Sequence, residues 1–199
     1  MKFRFSICVT VTLLVLGASS GTAAVINLDA ILNASLDGIN AQHLLLGPGS
    51  YNVDPIIGRY TAFDRFEGVD SCDANGRNCR TGFEHSYVVK IDGVATGYGD
   101  GNALGGIGPI SPGEGYYDTP EKAFALGRKS ARFTLNAPTD VAFYIIDDGT
   151  YNNSGGISLD VAAVPEPAAW ALMIAGFAAV GAALRRRADR STIAHRFSA

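Results

Sequence analysis

The chain has 199 residues, 47% of them apolar and 18% charged, with a formal net charge of −3. That apolar share excludes a disordered chain and fills one core of ordinary size, with short appendages to spare. The charge is unevenly placed: Lys2 and Arg4 stand at the start and Arg185, Arg186, Arg187, Arg190 and Arg196 near the end. Residues 25–164 keep 9 basic against 17 acidic side chains. So acidic a body argues against nucleic acid as a partner, because phosphate binding needs clustered cations.

The first 24 residues fall into three zones. Met1–Phe5 is short and basic, Ile7–Leu16 is apolar and uncharged, and Gly17–Ala24 is small and polar. This layout predicts a secretory signal peptide over residues 1–24, too short in its apolar run to span a bilayer comfortably. Small residues place the signal peptidase cut after Ala23 or Ala24, with Ser20 as the alternative. The body that follows, residues 25–163, is then exported.

Residues 25–163 form the predicted exported domain. Period-two alternation marks strands at Ala131–Asn136 and Ile157–Val161, and Val141–Ile146, apolar on both faces, reads as a central strand. Val25–Leu32, Tyr60–Phe63 and Ser86–Ile91 are further strand candidates, whereas only Glu121–Leu126 has helical character. Short strands separated by Gly, Pro, Asn and Asp clusters predict an all-β body, a β-sandwich or jelly roll. Cys8 departs with the signal peptide, which leaves Cys72 and Cys79 as a pair around Asn75-Gly76, a strong turn signal. In an oxidising compartment that pair predicts a structural disulfide. Thr96–Gly115 reads as a long Gly-rich surface loop; it lacks the spacing of a nucleotide-binding loop.

Between the central strand and the last one lies Asp147-Asp148-Gly149-Thr150-Tyr151-Asn152-Asn153-Ser154-Gly155-Gly156. Carboxylates and carboxamides on a loop at a strand end are a donor set suited to calcium, and equally the stuff of a polar hairpin turn. No Gly-x-Ser-x-Gly elbow, histidine cluster or Ser-His-Asp arrangement points to an enzyme.

The C-terminal segment is the most specific. Val164-Pro165-Glu166-Pro167 precedes 17 uncharged residues, Ala168–Leu184, and then Arg185-Arg186-Arg187. Seventeen helical residues rise about 26 Å, the short end of what a bilayer core needs. Trp170 falls near one interface, and the arginines place the tail, residues 188–199, on the cytoplasmic side. Ala171, Ala175, Ala179 and Ala183 recur every four residues along this helix, a small-residue face open to close helix packing or simply abundant alanine.

The run from Val164 to Arg187 resembles the PEP-CTERM sorting signal of Gram-negative bacteria. Pro165, Glu166, Pro167, Trp170, the apolar helix and Arg185, Arg186 and Arg187 follow one another in that order. The resemblance implies a substrate of exosortase, a membrane-embedded cysteine transpeptidase. It implies a transient membrane anchor at residues 168–184, a cut near the Pro-Glu-Pro, and delivery of the body to the cell surface or outside. The tail after the arginines is longer than family members usually carry. A looser likeness concerns the loop. Phe143–Val161 is similar to the calcium loop and closing strand of PA-I-type galactose-binding lectins, with a loop about three residues shorter. Carried across by position, it implies calcium ligands at Asp147 or Asp148, Thr150, Asn152 and Asn153, and a carbonyl from Tyr51. The body is then read as a binding module for exopolysaccharide or another surface glycan, or as a structural matrix protein without a ligand site.

Overall fold

The computed structural model describes residues 24–100, 116–147 and 149–165, together with 171, 173–182 and 185. The predicted signal peptide up to Ala23, residues 101–115 of the Gly-rich stretch, Asp148 and much of the sorting segment lie outside the described residues. The chain divides into two units, a body of residues 21–174 and a second unit that takes in residues 175–199.

The body is predominantly antiparallel β, in the order β1 (Ala24–Asp29), β2 (Gln42–Leu46), β3 (Gly49–Ile56), β4 (Phe63–Asp64), β5 (Phe83–Ile91), β6 (Val94–Asp100), α1 (Pro120–Gly127), β7 (Ala131–Leu135), β8 (Thr139–Tyr144) and β9 (Ser154–Val164). One ladder runs β1-β9-β3-β7 and another β2-β8-β5-β6; the two-residue β4 pairs with both β5 and β9 and joins them.

One core cluster draws from both ladders: Ile26 and Leu28 of β1, Val53 of β3, Tyr87 and Val89 of β5, Val141 and Phe143 of β8, and Ile157, Leu159 and Val161 of β9. Alternation along β9 accounts for its share, since every second side chain points to the same face. The intervening Ser158 is buried as well, because Tyr60 N–H donates to its hydroxyl oxygen and the hydroxyl donates to Asn27. β8 is apolar on both faces and sits between β2 and β5, as its continuous apolar run implies. Its outer face, at Tyr144, packs with Val88 and Ile146 in a second cluster.

Several boundaries differ from the sequence reading, each for a local reason. β1 stops at Asp29, whose carboxylate accepts the Ile31 and Leu32 N–H groups and turns the chain. The strand expected at Tyr60–Phe63 is Phe63–Asp64. Residues 96–100, expected in a loop, belong to β6, which a two-residue turn at Asp92-Gly93 folds back onto β5. Both turn residues have positive φ, 50° and 81°, which is the geometry of a type I′ hairpin. β2 and β3 lie where the sequence pattern marks no strand. α1 begins at Pro120 behind the N-cap Thr119, whose hydroxyl oxygen accepts the Lys122 N–H.

Candidate functional site

Strand β9 carries the chain directly into the sorting segment. Its last residues, Ala162, Ala163 and Val164, pair with Asn52, Tyr51 and Ser50 of β3, and Pro165 follows at once, exposed. The strand ends there because proline has no N–H to donate to a ladder. Ala24 opens β1 opposite Val161, so both ends of the body leave from one rim. Glu166, Pro167, Trp170, Arg186 and Arg187 lie outside the described residues. Residues 173–182 are helical, and Met173, Ile174, Phe177 and Val180 are all more than half exposed. Among the described residues no helix is long and apolar enough to cross a membrane.

The proposed calcium ligands are only partly brought together. Asp147 and Asn153 meet: the Asn153 side-chain amide donates to Asp147 Oδ2 at 2.8 Å and to the Ala30 carbonyl at 2.8 Å. Asp147 Oδ1 accepts the Gly149 N–H at 3.2 Å and lies 3.9 Å from Arg65 Nη1. The carboxylate is thus engaged by hydrogen-bond donors and faces a cation. Thr150 to Asn152 form a 3-10 turn whose tip, Tyr151, is 89% exposed. Tyr51 stands elsewhere, opposite Ala163 at the rim; nine residue steps along β9 separate that point from Ser154, roughly 30 Å of extended chain. Its hydroxyl donates to the Gly47 carbonyl and its ring stacks on Phe133. Among the described residues no group of three His, Cys, Asp or Glu is arranged to hold a metal.

Beside this loop lies a buried polar cluster that sequence reasoning missed. Arg65 Nε donates to Glu84 Oε1 at 2.7 Å, and Nη2 lies 2.7 Å from the same oxygen; Arg65 is 7% exposed and Glu84 is fully buried. Burial outweighs the guanidinium and lifts the Glu84 carboxyl to about 7. Next along β5, His85 is also fully buried against Phe124, and burial drops its imidazole to about 4. Glu84 Oε2 and both His85 ring nitrogens have no hydrogen-bond partner among the described residues. The Tyr117 hydroxyl donates to Asp100 Oδ2, and burial raises the pKa of that phenol.

Cys72 and Cys79 are disulfide-bonded. Their loop is also held by Asp73, whose carboxylate accepts the Asn75 and Arg77 N–H groups and the Asn78 side-chain amide. Gly76 turns the loop with φ 69°, and a side chain there would run into Asp118. The loop docks on the start of α1, with Lys122 Nζ donating to the Asn75 carbonyl and Asp118 N–H to the Gly76 carbonyl.

A family model of the PEP-CTERM protein-sorting motif matches residues 163–187. The match starts inside β9, at Ala163, and ends on Arg187. It marks an exported protein processed by exosortase, with a transient membrane anchor before processing. No curated protein matches the chain, and no solved structure does. The lectin likeness of the 143–161 segment therefore has no relative or structure behind it.

Proposed function

We propose that the chain is a precursor whose signal peptide, residues 1–24, directs export and is removed by signal peptidase. The body, residues 25–163, is then held from the periplasmic side by the helix at residues 168–184. Exosortase cuts near Pro165-Glu166-Pro167, and the body passes to the cell surface or the extracellular matrix. There it acts as a structural or binding unit rather than as an enzyme. The two antiparallel ladders are read as the halves of a β-sandwich, a reading supported by the single core cluster that both supply. The observation that carries the sorting assignment is the motif match at residues 163–187, with the body's last strand ending at its start. Expression of the full chain in an exosortase-bearing host and in the same host lacking the enzyme tests it. A shortened body released only in the enzyme's presence is expected; the same size and fraction in both hosts would contradict it.

The glycan-binding reading is favoured by one feature, the 89% exposed Tyr151 beside Asn152 at the loop tip. Exposed aromatic rings beside amides offer a stacking and hydrogen-bonding surface to a sugar. A glycan array probed with the body and with Tyr151→Ala decides it: signal lost in the variant supports the reading, and no signal from the parent removes it.

A further inference from the structure

The folded body leaves no spacer before the sorting motif, and that spacing has a kinetic consequence. A partner that takes up a segment as an extended strand binds it through its main-chain groups. Here the residues before Pro165 are paired with β3, Val164 opposite Ser50, Ala163 opposite Tyr51 and Ala162 opposite Asn52, with alternate residues directing their main-chain groups to it. β1 begins at Ala24, opposite Val161, so among the described residues Ala162–Val164 are paired by β3 alone. Ser158–Val161, just before them, are held on both sides, by β1 and by β3.

The β3 side of this short zipper is firmly seated. Tyr51 is 6% exposed, its ring stacks on Phe133 with centroids 5.6 Å apart, and its hydroxyl donates to the Gly47 carbonyl at 3.0 Å. The Ser50 hydroxyl lies 2.9 Å from that of Thr134 on β7. When the rim opens, the part that moves is therefore the end of β9. Strand ends open locally at far lower cost than whole domains unfold.

We infer that the three pairs Ser50–Val164, Tyr51–Ala163 and Asn52–Ala162 form a latch on sorting: exosortase reaches the chain at Pro165 only after Ala162–Val164 let go of β3. Tyr51 and Ser50 are then positioning residues for the cut, acting through the strand they hold. The rate of release depends on the folded rim as well as on the motif. This inference rests on the sorting function proposed above.

The test fastens the latch. Directly opposed residues of an antiparallel pair lie about 4.5–5.5 Å apart at Cα, within the roughly 4.4–6.8 Å that a disulfide spans. Full-length precursor carrying Ser50→Cys and Val164→Cys is followed by pulse-chase in exosortase-bearing cells, with each single variant alongside. The cross-linked fraction should persist uncut through a chase in which the unlinked fraction and both single variants are processed. A flexible Gly/Ser spacer of about six residues between Val164 and Pro165 should restore cutting of the linked protein. Cutting of the linked, spacer-free protein at the unlinked rate would overturn the inference, and so would a block that the spacer fails to relieve. A Pro165→Ala, Glu166→Ala, Pro167→Ala precursor in the same cells keeps the two ideas apart: if it too is cut normally, the sorting reading is what fails.

Discussion

The two ends of the body are built on different principles. At the rim where Ala24 and Val164 leave, the strands are joined by tight connections: Gly47-Pro48 between β2 and β3, Asn136 to Pro138 between β7 and β8, and Asp92-Gly93 between β5 and β6. At the other end, where β4 bridges β5 and β9, the connections are long and carry the disulfide loop, α1, the 3-10 turn and the cluster of Arg65, Glu84 and Asp147. The rim is held by strand pairing, the stacked Tyr51–Phe133 pair and side-chain contacts of Tyr51 with Gly47, Ser50 with Thr134 and His43 with Asp140. The far end replaces pairing with buried charge, side-chain caps and a covalent link. Stability at the far end therefore depends on pH and redox state, which do not govern the rim's contacts in the same way.

The sharpest way to break that contrast is to strand a buried charge. Glu84→Ala leaves the Arg65 guanidinium buried with only the more distant Asp147 beside it. Above pH 7, where the Glu84 carboxyl is ionised, losing one partner of this buried pair costs about 3–5 kcal/mol, so the melting temperature of the body should fall steeply. Glu84→Gln keeps an acceptor for Arg65 and should cost clearly less. Equal losses in the two variants would remove the charge argument.

The pH dependence comes next. The Glu84 carboxyl sits at about 7, above its ordinary 4.5, so the fold favours its protonated form. The stability it contributes is full below 4.5 and is lost as pH rises through 7. His85 sits at about 4, below its ordinary 6.5, so the fold favours its neutral form. Its contribution is present above 6.5 and is lost as pH falls through 4. Each effect is roughly 2–4 kcal/mol at full extent. Melting curves from pH 4 to 8 should show Glu84→Gln flattening the alkaline side and His85→Leu the acid side. Parallel curves for all three proteins would contradict the assignment.

Reducing Cys72–Cys79 should cost roughly 2–2.5 kcal/mol, because the closed loop is small. Hydrogen exchange should place the loosening in residues 70–82 and the start of α1, with the rim strands unchanged. The intact mass should rise by two hydrogens, and exchange that spreads evenly over the body would blur the contrast between the ends. At the rim, Tyr51→Phe removes the hydroxyl that donates to the Gly47 carbonyl and keeps the ring on Phe133. A loss of about 1 kcal/mol is expected, one ordinary hydrogen bond. The smallest expected effect is that of calcium: Asp147 is already engaged by Asn153, Gly149 and Arg65. The melting temperature should ignore calcium and chelator alike; a rise reversed by chelator would establish the loop as a cation site.

The contrast also explains which parts of the fold could be read in advance. β7, β8 and β9 announce themselves through alternation or a continuous apolar run, because one residue's neighbour in sequence decides its face. The Cys72–Cys79 link follows from Asn75-Gly76 between the two cysteines. β3 was hidden by Gly49, Asn52, Asp54 and Pro55, all turn formers, although Tyr51, Val53 and Pro55 alternate inward. β6 was hidden by its glycines, and the signal that could have revealed it is the Asp92-Gly93 pair after Ile91. The Arg65–Glu84–Asp147 cluster had no local signal. Arg65 and Glu84 are 19 residues apart, and they meet because β4 crosses between β5 and β9. Tyr51 and the 147–153 loop were linked only by likeness to another family, and strand register separates them. The sorting segment was legible for the opposite reason: it is read as linear sequence, so its residues need no fold to come together.

The central claim is that this linear segment decides where the folded body goes. Replacing Pro165, Glu166 and Pro167 together by alanine in the full chain, followed by membrane fractionation and immunoblotting of the body, tests it most directly. The account predicts full-length protein retained in the membrane fraction, with none of the shortened body outside the cell. Release of a body of unchanged size and amount would contradict it.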